Sequence, residues 1–231
     1  MEMKEEKKLA AEKAVEQIES GMIIGLGTGS TLNYALKHLA GKIGSGELEN
    51  IKGIPTSQKT EDDALKLGIT LTDLSDHPEI DLTIDGADEV DEDLNLIKGG
   101  GGALLREKVV AQASRKVVIV VDESKLSKKL GEKFFVPVEI LKFAYGSEKK
   151  FLESLGADVK RREGKTGEVL ITDEDNIILD CNFGVIEDPE ALSRKLNERA
   201  GIIEHGIFLA LADEVIAGTS DGIKFLKKKI V

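Results

Sequence analysis

Residues 22–31 have the sequence MIIGLGTGST, in which a short apolar segment runs directly into a glycine-rich segment. The apolar part, residues 22–26, is typical of a short buried strand. The glycines allow a sharp turn, and we expect a helix over residues 32–39. A strand, a glycine turn and a helix in this order indicate a unit of a parallel α/β sheet.

The alternation of strands and helices continues through the first half of the chain. It predicts further helices at residues 5–20, 60–67 and 103–114, and further strands at residues 51–55, 70–72, 82–84 and 117–121. Such alternation is typical of a Rossmann-like, mostly parallel sheet with helices on both faces. We expect a last strand at residues 214–217 and a helix at residues 222–228 to return to this sheet.

A different pattern begins near residue 134. The elements predicted here are a strand at 138–141, a helix at 147–155, a strand at 158–161, a hairpin joining 169–172 to 177–180, a helix at 189–199 and a strand at 202–209. The β-α-β-β-α-β order is that of a ferredoxin-like α+β module. We therefore expect a Rossmann-like domain formed by residues 1–131 and 207–231, and a smaller α+β domain formed by residues 132–206.

The composition excludes several classes of protein. The formal net charge of the 231 residues is −11, which repels nucleic acids and anionic membranes, so we expect neither as a partner. The single cysteine, Cys181, cannot form an internal disulfide. The charged first eight residues lack the apolar region of a signal peptide, and no apolar run is long enough to span a bilayer. We expect a cytoplasmic protein.

Histidine is scarce, which limits the possible chemistry. His38, His77 and His205 are far apart in the sequence, so a zinc site built on histidines is not expected. Proton transfer is then expected to depend on carboxylates and lysines. The chain has 26 lysines and 26 glutamates but only three glutamines and six asparagines, a bias associated with proteins from hot environments.

The first candidate loop follows the strand at residues 22–26 and contains Gly27, Thr28, Gly29, Ser30 and Thr31. Backbone amides at the start of a helix attract anions, so we expect phosphate binding here. A tight turn capped by Ser30 is the alternative. A dinucleotide site is less favoured, because the strand at 51–55 is followed by Thr56 and Ser57 and not by an acidic residue that holds a ribose.

The second candidate loop contains Asp85, Gly86, Ala87 and Asp88 and follows the strand at residues 82–84. Open α/β sheets bind ligands at the carboxyl ends of their strands. Two small residues between the aspartates allow both carboxylates to face one cavity, where like charges favour protonation of one of them. A carboxylate-bound Mg²⁺ is an alternative. We expect a solvated acidic turn from the next carboxylates, Glu89, Asp91, Glu92 and Asp93.

Two further loops carry candidate catalytic groups. The third contains a lysine and a run of glycines that are costly to order, namely Lys98, Gly99, Gly100, Gly101 and Gly102. Glu107 follows on a largely apolar helix face, where loss of water would make it a stronger base; a salt bridge to Arg106 or a lysine is the alternative. Lys125, in the fourth loop, follows the strand at residues 117–121.

Together these loops resemble the type A ribose-5-phosphate isomerases. The resemblance is carried, in order along the chain, by residues 27–31, 84–89, 98–101, 106–108, 122–125, 136–139 and 218–222. It implies interconversion of D-ribose 5-phosphate and D-ribulose 5-phosphate by proton transfer through an enediolate, in the pentose phosphate pathway. It also implies a homodimer or homotetramer that needs neither a metal nor a nucleotide cofactor.

The resemblance also implies a role for each candidate residue. Glu107 corresponds to the base that moves a proton between C1 and C2, and Asp85 and Asp88 to residues that bind sugar hydroxyls and assist ring opening. The enediolate oxygens are expected to be stabilised by Lys98 and the amides of Gly99, Gly100 and Gly101. The positions that contact the substrate or its phosphate are Lys7, Thr28, Gly29, Ser30, Thr31 and Lys125, with Gly86 and Ala87 beside the aspartates.

The residue types agree with this chemistry, since aldose–ketose isomerisation needs a base, a group that stabilises an oxyanion and an anchor for the phosphate. A non-catalytic phosphosugar-sensing domain on the same sheet is the alternative hypothesis. A sensor, however, needs no base. A dinucleotide-dependent oxidoreductase is a third hypothesis.

Overall fold

The structure, a computed structural model, describes residues 3–228 as short strands that alternate with helices. The helices are α1 (Met3–Val15), α2 (Leu32–Gly44), α3 (Gln58–Lys66), α4 (Leu104–Gln112), α5 (Tyr145–Ser154) and α6 (Pro189–Asn197). The strands are β1 (Ile23–Leu26), β2 (Lys52–Pro55), β3 (Leu82–Asp85), β4 (Glu89–Val90), β5 (Leu96–Ile97), β6 (Val117–Asp122), β7 (Val136–Ile140), β8 (Asp158–Arg161), β9 (Ile177–Asn182), β10 (Ile202–His205), β11 (Ile207–Phe208), β12 (Glu214–Thr219) and β13 (Gly222–Lys227). The ends of the expected first domain, residues 1–2 and 229–231, lie outside the described residues.

The largest sheet has six strands in the order β13-β12-β6-β3-β1-β2. The neighbours from β12 to β2 are parallel, whereas β13 is antiparallel to β12. The register pairs Ile24 with Leu82 and Ile84 with Val118. Strands β3 and β6 are buried along their whole length, as expected for central strands covered on both faces. The predicted mostly parallel sheet is confirmed.

Helices cover both faces of this sheet. Ile24 of β1 is buried in a cluster with Ala11 of α1 and Leu36 of α2. The next residue, Gly25, faces the other way, because a Cβ atom there would lie 2.7 Å from Cγ1 of Val110 in α4. Successive residues of a strand point to opposite faces. Helix α4 therefore lies on the face opposite to α1 and α2, as predicted.

A second sheet has four antiparallel strands in the order β10-β7-β9-β8. The connectivity β7-α5-β8-β9-α6-β10 is that of a ferredoxin-like module. Leu152 of α5 and Leu196 of α6 are fully buried with Val138 and Leu179 of the sheet. The predicted smaller α+β module is confirmed.

The last element is a strand, so the predicted helix at residues 222–228 is wrong. Strand β13 pairs with β12 across a two-residue turn formed by Ser220 and Asp221. Gly222 has φ +123° and Thr219 donates its hydroxyl to the carbonyl of Gly222 at 3.1 Å. This turn directs the chain back along β12, where its backbone groups pair with a neighbouring strand instead of with one another.

Three other predicted strands are divided or reduced. The segment 202–209 is divided at Gly206 into β10 and β11, which belong to different sheets. A Cβ atom at Gly206 would lie 2.3 Å from the carbonyl oxygen of Lys98. The segments 70–72 and 169–172 form isolated bridges instead of strands. Ile171 bridges Ile177 at the start of β9, as the predicted hairpin requires, but the strands that flank β9 in the sheet are β7 and β8.

The two longest helices end at residues other than those that their sequence patterns predict: α1 ends earlier, and α2, predicted to end at residue 39, continues to Gly44. Helix α1 ends at Val15, and the pattern predicts an end near residue 20. Helices α1 and α2 have 13 residues each, against about 20 for a transmembrane helix. Across residues 3–228, no helix has the length and apolar character needed to cross a membrane.

The chain divides into two compact units at boundaries that differ from the expected ones. One unit contains residues 3–87, 106–125 and 210–228, and the other contains residues 88–105 and 126–209. The sequence pattern places 88–105, 126–131 and 207–209 in the first domain. These segments instead pair with one another, because β5 joins β4 to β11 and Val90 bridges Leu126.

Candidate active site

The glycine loop at residues 27–31 lies against the end of β3. The amide of Gly27 donates to the carbonyl of Ile84 at 3.0 Å. A Cβ atom at position 27 would lie 2.2 Å from Oδ1 and 2.6 Å from Cα of Asp85. Glycine at this position therefore allows the loop to contact the backbone that carries Asp85.

Thr28 is held inside the first unit by its hydroxyl and its amide. The hydroxyl lies 2.8 Å from those of Thr56 and Ser57 and 3.0 Å from that of Thr60. The amide donates to Oδ1 of Asp85 at 3.2 Å. These contacts fix the loop to the start of α3 and to the end of β3. No local sequence pattern indicates this hydroxyl cluster, because its members are about 30 residues from the loop.

The outer part of the same loop is open to solvent. Gly29 and Ser30 are exposed, and Gly29 has φ +130°. The residue that caps α2 is Thr31, and its side chain makes no cap hydrogen bond within the described chain. The alternative in which Ser30 caps the helix is therefore wrong. Ser30 accepts a hydrogen bond from Nζ of Lys7 at 3.3 Å, so a hydroxyl and an ammonium group lie side by side at the start of α2.

Lys7 is also paired with Asp122 at the end of β6. Its Nζ lies 3.7 Å from Oδ2 of Asp122, whose side chain is 1% exposed. Oδ1 of Asp122 accepts hydrogen bonds from the amide of Ser124, at 3.1 Å, and from its hydroxyl. The buried carboxylate holds the Lys7 ammonium beside the glycine loop. In the same unit, the half-buried Lys125 ends the 3-10 turn at Glu123–Lys125.

Asp85, the last residue of β3, is 2% exposed and is therefore nearly inaccessible to bulk water. Its Oδ1 accepts hydrogen bonds from the amide of Gly86 at 2.7 Å and from the amide of Thr28 at 3.2 Å. Two backbone donors thus fix the orientation of the carboxylate. Gly86 and Ala87, which follow it, are half-buried.

Asp88 belongs to the second unit and holds a different glycine loop. Its amide donates to the carbonyl of Ile97 at 2.8 Å, and its carboxylate accepts from the amide of Gly100 at 2.7 Å. A Cβ atom at position 100 would lie 2.6 Å from Oδ1 of Asp88, so this hydrogen bond depends on glycine. That Asp85 and Asp88 face one cavity stays a prediction.

Lys98 follows β5 and is 3% exposed, which is rare for a lysine. Its amide donates to the carbonyl of Gly206 at 2.9 Å, and its Nζ lies 5.6 Å from the ring centroid of Phe208. An ammonium over an aromatic face gains a favourable cation–π interaction. The next residue, Gly99, has φ +96° and accepts from the amide of Gly102 at 3.0 Å, so the loop makes a tight turn directly after Lys98.

Arg162, which directly follows β8 and which no sequence motif indicates, holds this glycine loop. Its Nη1 donates to the carbonyl of Gly99 at 2.6 Å and to that of Gly100 at 3.2 Å. Its Nε donates to both carboxylate oxygens of Asp180, at 3.0 and 3.1 Å. The two loop carbonyls are more than 60 residues from Arg162 in the sequence, so no local pattern indicates the contact.

Glu107 lies in the first half of α4 and is 4% exposed. The expectation that this carboxylate is withdrawn from water is confirmed. The next residue, Lys108, is also buried. A carboxylate shielded from bulk water is suited to accept a proton from a carbon atom, because water does not compete for it.

Glu89 is buried, which contradicts the predicted solvated turn. Its carboxylate accepts hydrogen bonds from the amides of Gly131 at 2.9 Å, Lys133 at 3.1 Å and Phe134 at 3.2 Å. Glu89 is fully buried. It therefore fixes the loop at residues 131–134 to the β4–β5 hairpin.

Asp91 is also buried, whereas Glu92 and Asp93 are exposed as predicted. Asp91 accepts from the amides of Asp93 at 3.0 Å and Asn95 at 2.8 Å, which closes the hairpin turn. Burial raises the pKa of the Asp91 carboxyl. Among residues 3–228, no group of three or more His, Cys, Asp or Glu side chains is arranged to hold a metal ion.

Direct contacts thus connect several of the candidate residues within each unit. In the first unit, Lys7 contacts Ser30 and Asp122, and Thr28 contacts Asp85. In the second unit they link Asp88, Gly99, Gly100, Arg162 and Asp180.

The family described as ribose 5-phosphate isomerase A (phosphoriboisomerase A) matches residues 52–222 of the chain. A ribose-5-phosphate isomerase A from Desulfatibacillum aliphaticivorans is 55% identical over 221 residues, which are 96% of each protein. The chain belongs to the ribose 5-phosphate isomerase A family.

Solved structures of this family have the same fold. The ribose 5-phosphate isomerase A of Methanocaldococcus jannaschii is 42% identical, with a TM-score of 0.92 over 97% of this chain and 99% of that one. A D-ribose-5-phosphate isomerase in complex with phospho-erythronic acid is 41% identical, with a TM-score of 0.96 over 98% of this chain and 100% of that one. The architecture of the two sheets is therefore that of the family.

Proposed function

We propose that this chain interconverts D-ribose 5-phosphate and D-ribulose 5-phosphate, in the pentose phosphate pathway, by proton transfer through an enediolate. Membership of the ribose 5-phosphate isomerase A family supports the reaction. The observation that carries the mechanism is that the Glu107 carboxylate and the Lys98 side chain are both buried. Both residues belong to motifs that the chain shares with the family. No contact among the described residues favours the alternative of a non-catalytic sensing domain.

The reaction needs a base and an oxyanion-stabilising group but no oxidant. From aldose to ketose, the base removes the proton at C2 and an enediolate forms across C1 and C2. A proton is then delivered to C1, the aldehyde oxygen at C1 becomes a hydroxyl, and the hydroxyl at C2 becomes the ketone. Atoms and electrons balance within the sugar, since one carbon is oxidised as its neighbour is reduced.

We assign the carbon proton transfer to Glu107. It is the carboxylate of the family motif at 106–108, and its burial separates it from competing water. Asp85 and Asp88 are assigned to the sugar hydroxyls and to proton transfer at oxygen. Each has one carboxylate oxygen held by a backbone amide, which keeps the side chain in one orientation.

The enediolate oxygens are assigned to Lys98 and to one amide of the glycine loop at residues 99–101. Lys98 is buried, and an ammonium ion in such surroundings interacts strongly with a developing negative charge. The amide of Gly100 donates to Asp88 in this structure, so the amide of Gly101 is the loop donor that we assign to the substrate.

The phosphate is assigned to the start of α2 and to two lysines of the same unit. Ser30 and Gly29 are exposed there, and the Lys7 ammonium lies 3.3 Å from the Ser30 hydroxyl. The amide of Thr31 and the half-buried Lys125 complete the assignment. Thr28 is assigned to holding the loop in place, because its hydroxyl is engaged with those of Thr56, Ser57 and Thr60.

We also propose that the protein is a cytoplasmic homodimer or homotetramer and that it comes from a hot environment. The family resemblance supports the oligomer, and the excess of lysine and glutamate over amide residues supports the environment. Light scattering of the purified protein measures its oligomeric state. Its thermal unfolding temperature tests the origin in a hot environment.

An assay of purified protein with ribose 5-phosphate in excess EDTA tests the function. We expect ribulose 5-phosphate to form at a rate that EDTA does not change. Binding of ribose 5-phosphate by calorimetry without formation of ketose would establish the sensing alternative and refute the isomerase.

A further inference from the structure

The glycine loop at residues 99–102 has no side chains with which to hold its own shape. Glycine loses more conformational freedom on ordering than any other residue, so other segments must hold the loop if its amides are to stay in place. Within the second unit, these contacts come from Asp88 and Arg162.

The peptide group between Gly99 and Gly100 is held at both ends. Its carbonyl oxygen accepts from Arg162 at 2.6 Å, and its N–H donates to Asp88 at 2.7 Å. A trans peptide group directs its C=O and N–H in opposite directions, and the described residues contain no cis peptide bond. Arg162 and Asp88 therefore lie on opposite sides of this peptide group and fix its plane.

The following peptide group, between Gly100 and Gly101, is oriented by Arg162 as well. The carbonyl of Gly100 accepts from the same Nη1 at 3.2 Å. Since this group is also trans, the N–H of Gly101 points away from Arg162. The convergence of two carbonyls on one guanidinium thus directs two successive amides away from Arg162.

Arg162 is itself held rigidly. It is 8% exposed, its Nε and Nη2 both donate to Asp180, and its guanidinium carbon lies 5.7 Å from the ring centroid of Phe135. The carboxylate of Asp180 neutralises the charge. The planar guanidinium donates to a carboxylate and to two carbonyls at once, which a lysine ammonium cannot reproduce in the same geometry.

We propose that Arg162, held by Asp180, is a positioning residue that orients the amide of Gly101 for the developing enediolate oxygen. The inference rests on the proposed function, because it needs an oxyanion for the amide to bind. Arg162 contacts the loop carbonyls and not the reacting atoms, so its contribution is made through the backbone. It should therefore affect the chemical step more than the affinity for the substrate.

The test compares Arg162→Lys with a matched control, Arg199→Lys. Arg199 lies in the same unit, donates to both oxygens of Glu148 at 2.9 and 3.0 Å, and packs on Phe151, but it does not contact the glycine loop. We expect Arg162→Lys to lower kcat between about 10-fold and 100-fold, because a small displacement of an oriented group has an effect of this size. KM should change less than about twofold, and Arg199→Lys should keep both parameters near wild type.

Rates are expressed per folded molecule, with the folded fraction taken from thermal unfolding followed by circular dichroism. A wild-type protein without isomerase activity would refute the proposed function and not this inference. If the wild type is active, three results would overturn the inference. They are an unchanged kcat in Arg162→Lys, an effect of Arg162→Lys on KM alone, and an equal loss of kcat in Arg199→Lys. If Arg162→Lys does not fold, Asp180→Asn, which weakens the support of Arg162, should lower kcat by at least about threefold; an unchanged kcat would equally overturn the inference.

Discussion

Gly27 shows that a residue without a side chain can decide how a site is assembled. A Cβ atom there would lie 2.2 Å from Oδ1 of Asp85. We expect Gly27→Ala to lower the free energy of unfolding by about 1–3 kcal/mol, as overpacking does, and to lower activity by displacing Asp85. Equilibrium unfolding in urea and the isomerase assay measure the two effects.

Gly41, in the exposed part of α2, is the matched control for this substitution. A Cβ atom at position 41 would have no atom within 4 Å. Gly41→Ala should raise the free energy of unfolding by about 0.5–1 kcal/mol, because alanine loses less backbone entropy in a helix. Equal stability and activity of the two variants would contradict the steric role of Gly27.

The candidate residues differ in how far the sequence predicts them. Asp85, Lys98 and Glu107 stand in motifs whose residue types already suggest the chemistry, and their burial agrees with the assignments. Arg162 and Asp122 act through partners that lie far away in the chain. A contact across such a separation depends on the tertiary fold, so residue patterns alone do not indicate it.

At the scale of secondary-structure elements, the β4–β5 hairpin depends on a buried carboxylate. Glu89 accepts three backbone amides of the loop at residues 131–134. Glu89→Gln replaces one acceptor oxygen by a donor and leaves at least one of these amides unsatisfied. We expect a loss of about 1–3 kcal/mol in the free energy of unfolding, measured by urea titration.

Glu92→Gln is the control, because Glu92 is an exposed residue of the same hairpin. Its free energy of unfolding should stay within about 0.5 kcal/mol of wild type. A Glu89→Gln variant as stable as Glu92→Gln would show that the three hydrogen bonds do not hold the loop.

The elements are predictable where a pattern is long and local. The parallel strands and the helices between them follow from apolar spacing and glycine turns. The structure of segment 222–228 does not follow from its sequence pattern, because its apolar residues fit a short helix as well as a strand. Pairing with β12 makes it a strand. Strand β11 is likewise defined by its partner β5.

At the scale of the whole molecule, the expected two-domain organisation and the observed compact units differ because of pairing between distant segments. Residues 88–105 and 207–209 fall within the expected first domain, yet they belong to the second compact unit, where β5 pairs with β4 and β11. The net charge of −11 also acts at this scale. It opposes an anionic substrate at long range, so the phosphate binding that we propose depends on local donors such as Lys7 and Ser30.

The central claim is that Glu107 carries a proton between carbons through an enediolate. The most direct measurement is the isomerisation of ribulose 5-phosphate in tritiated water, with wild type and Glu107→Gln, followed by assay of tritium at C2 of the ribose 5-phosphate formed. We predict carbon-bound tritium with the wild type, and a rate at least about 100-fold lower with a folded Glu107→Gln variant. Turnover with complete retention of the substrate hydrogen, or a Glu107→Gln variant with the wild-type rate, would contradict the account.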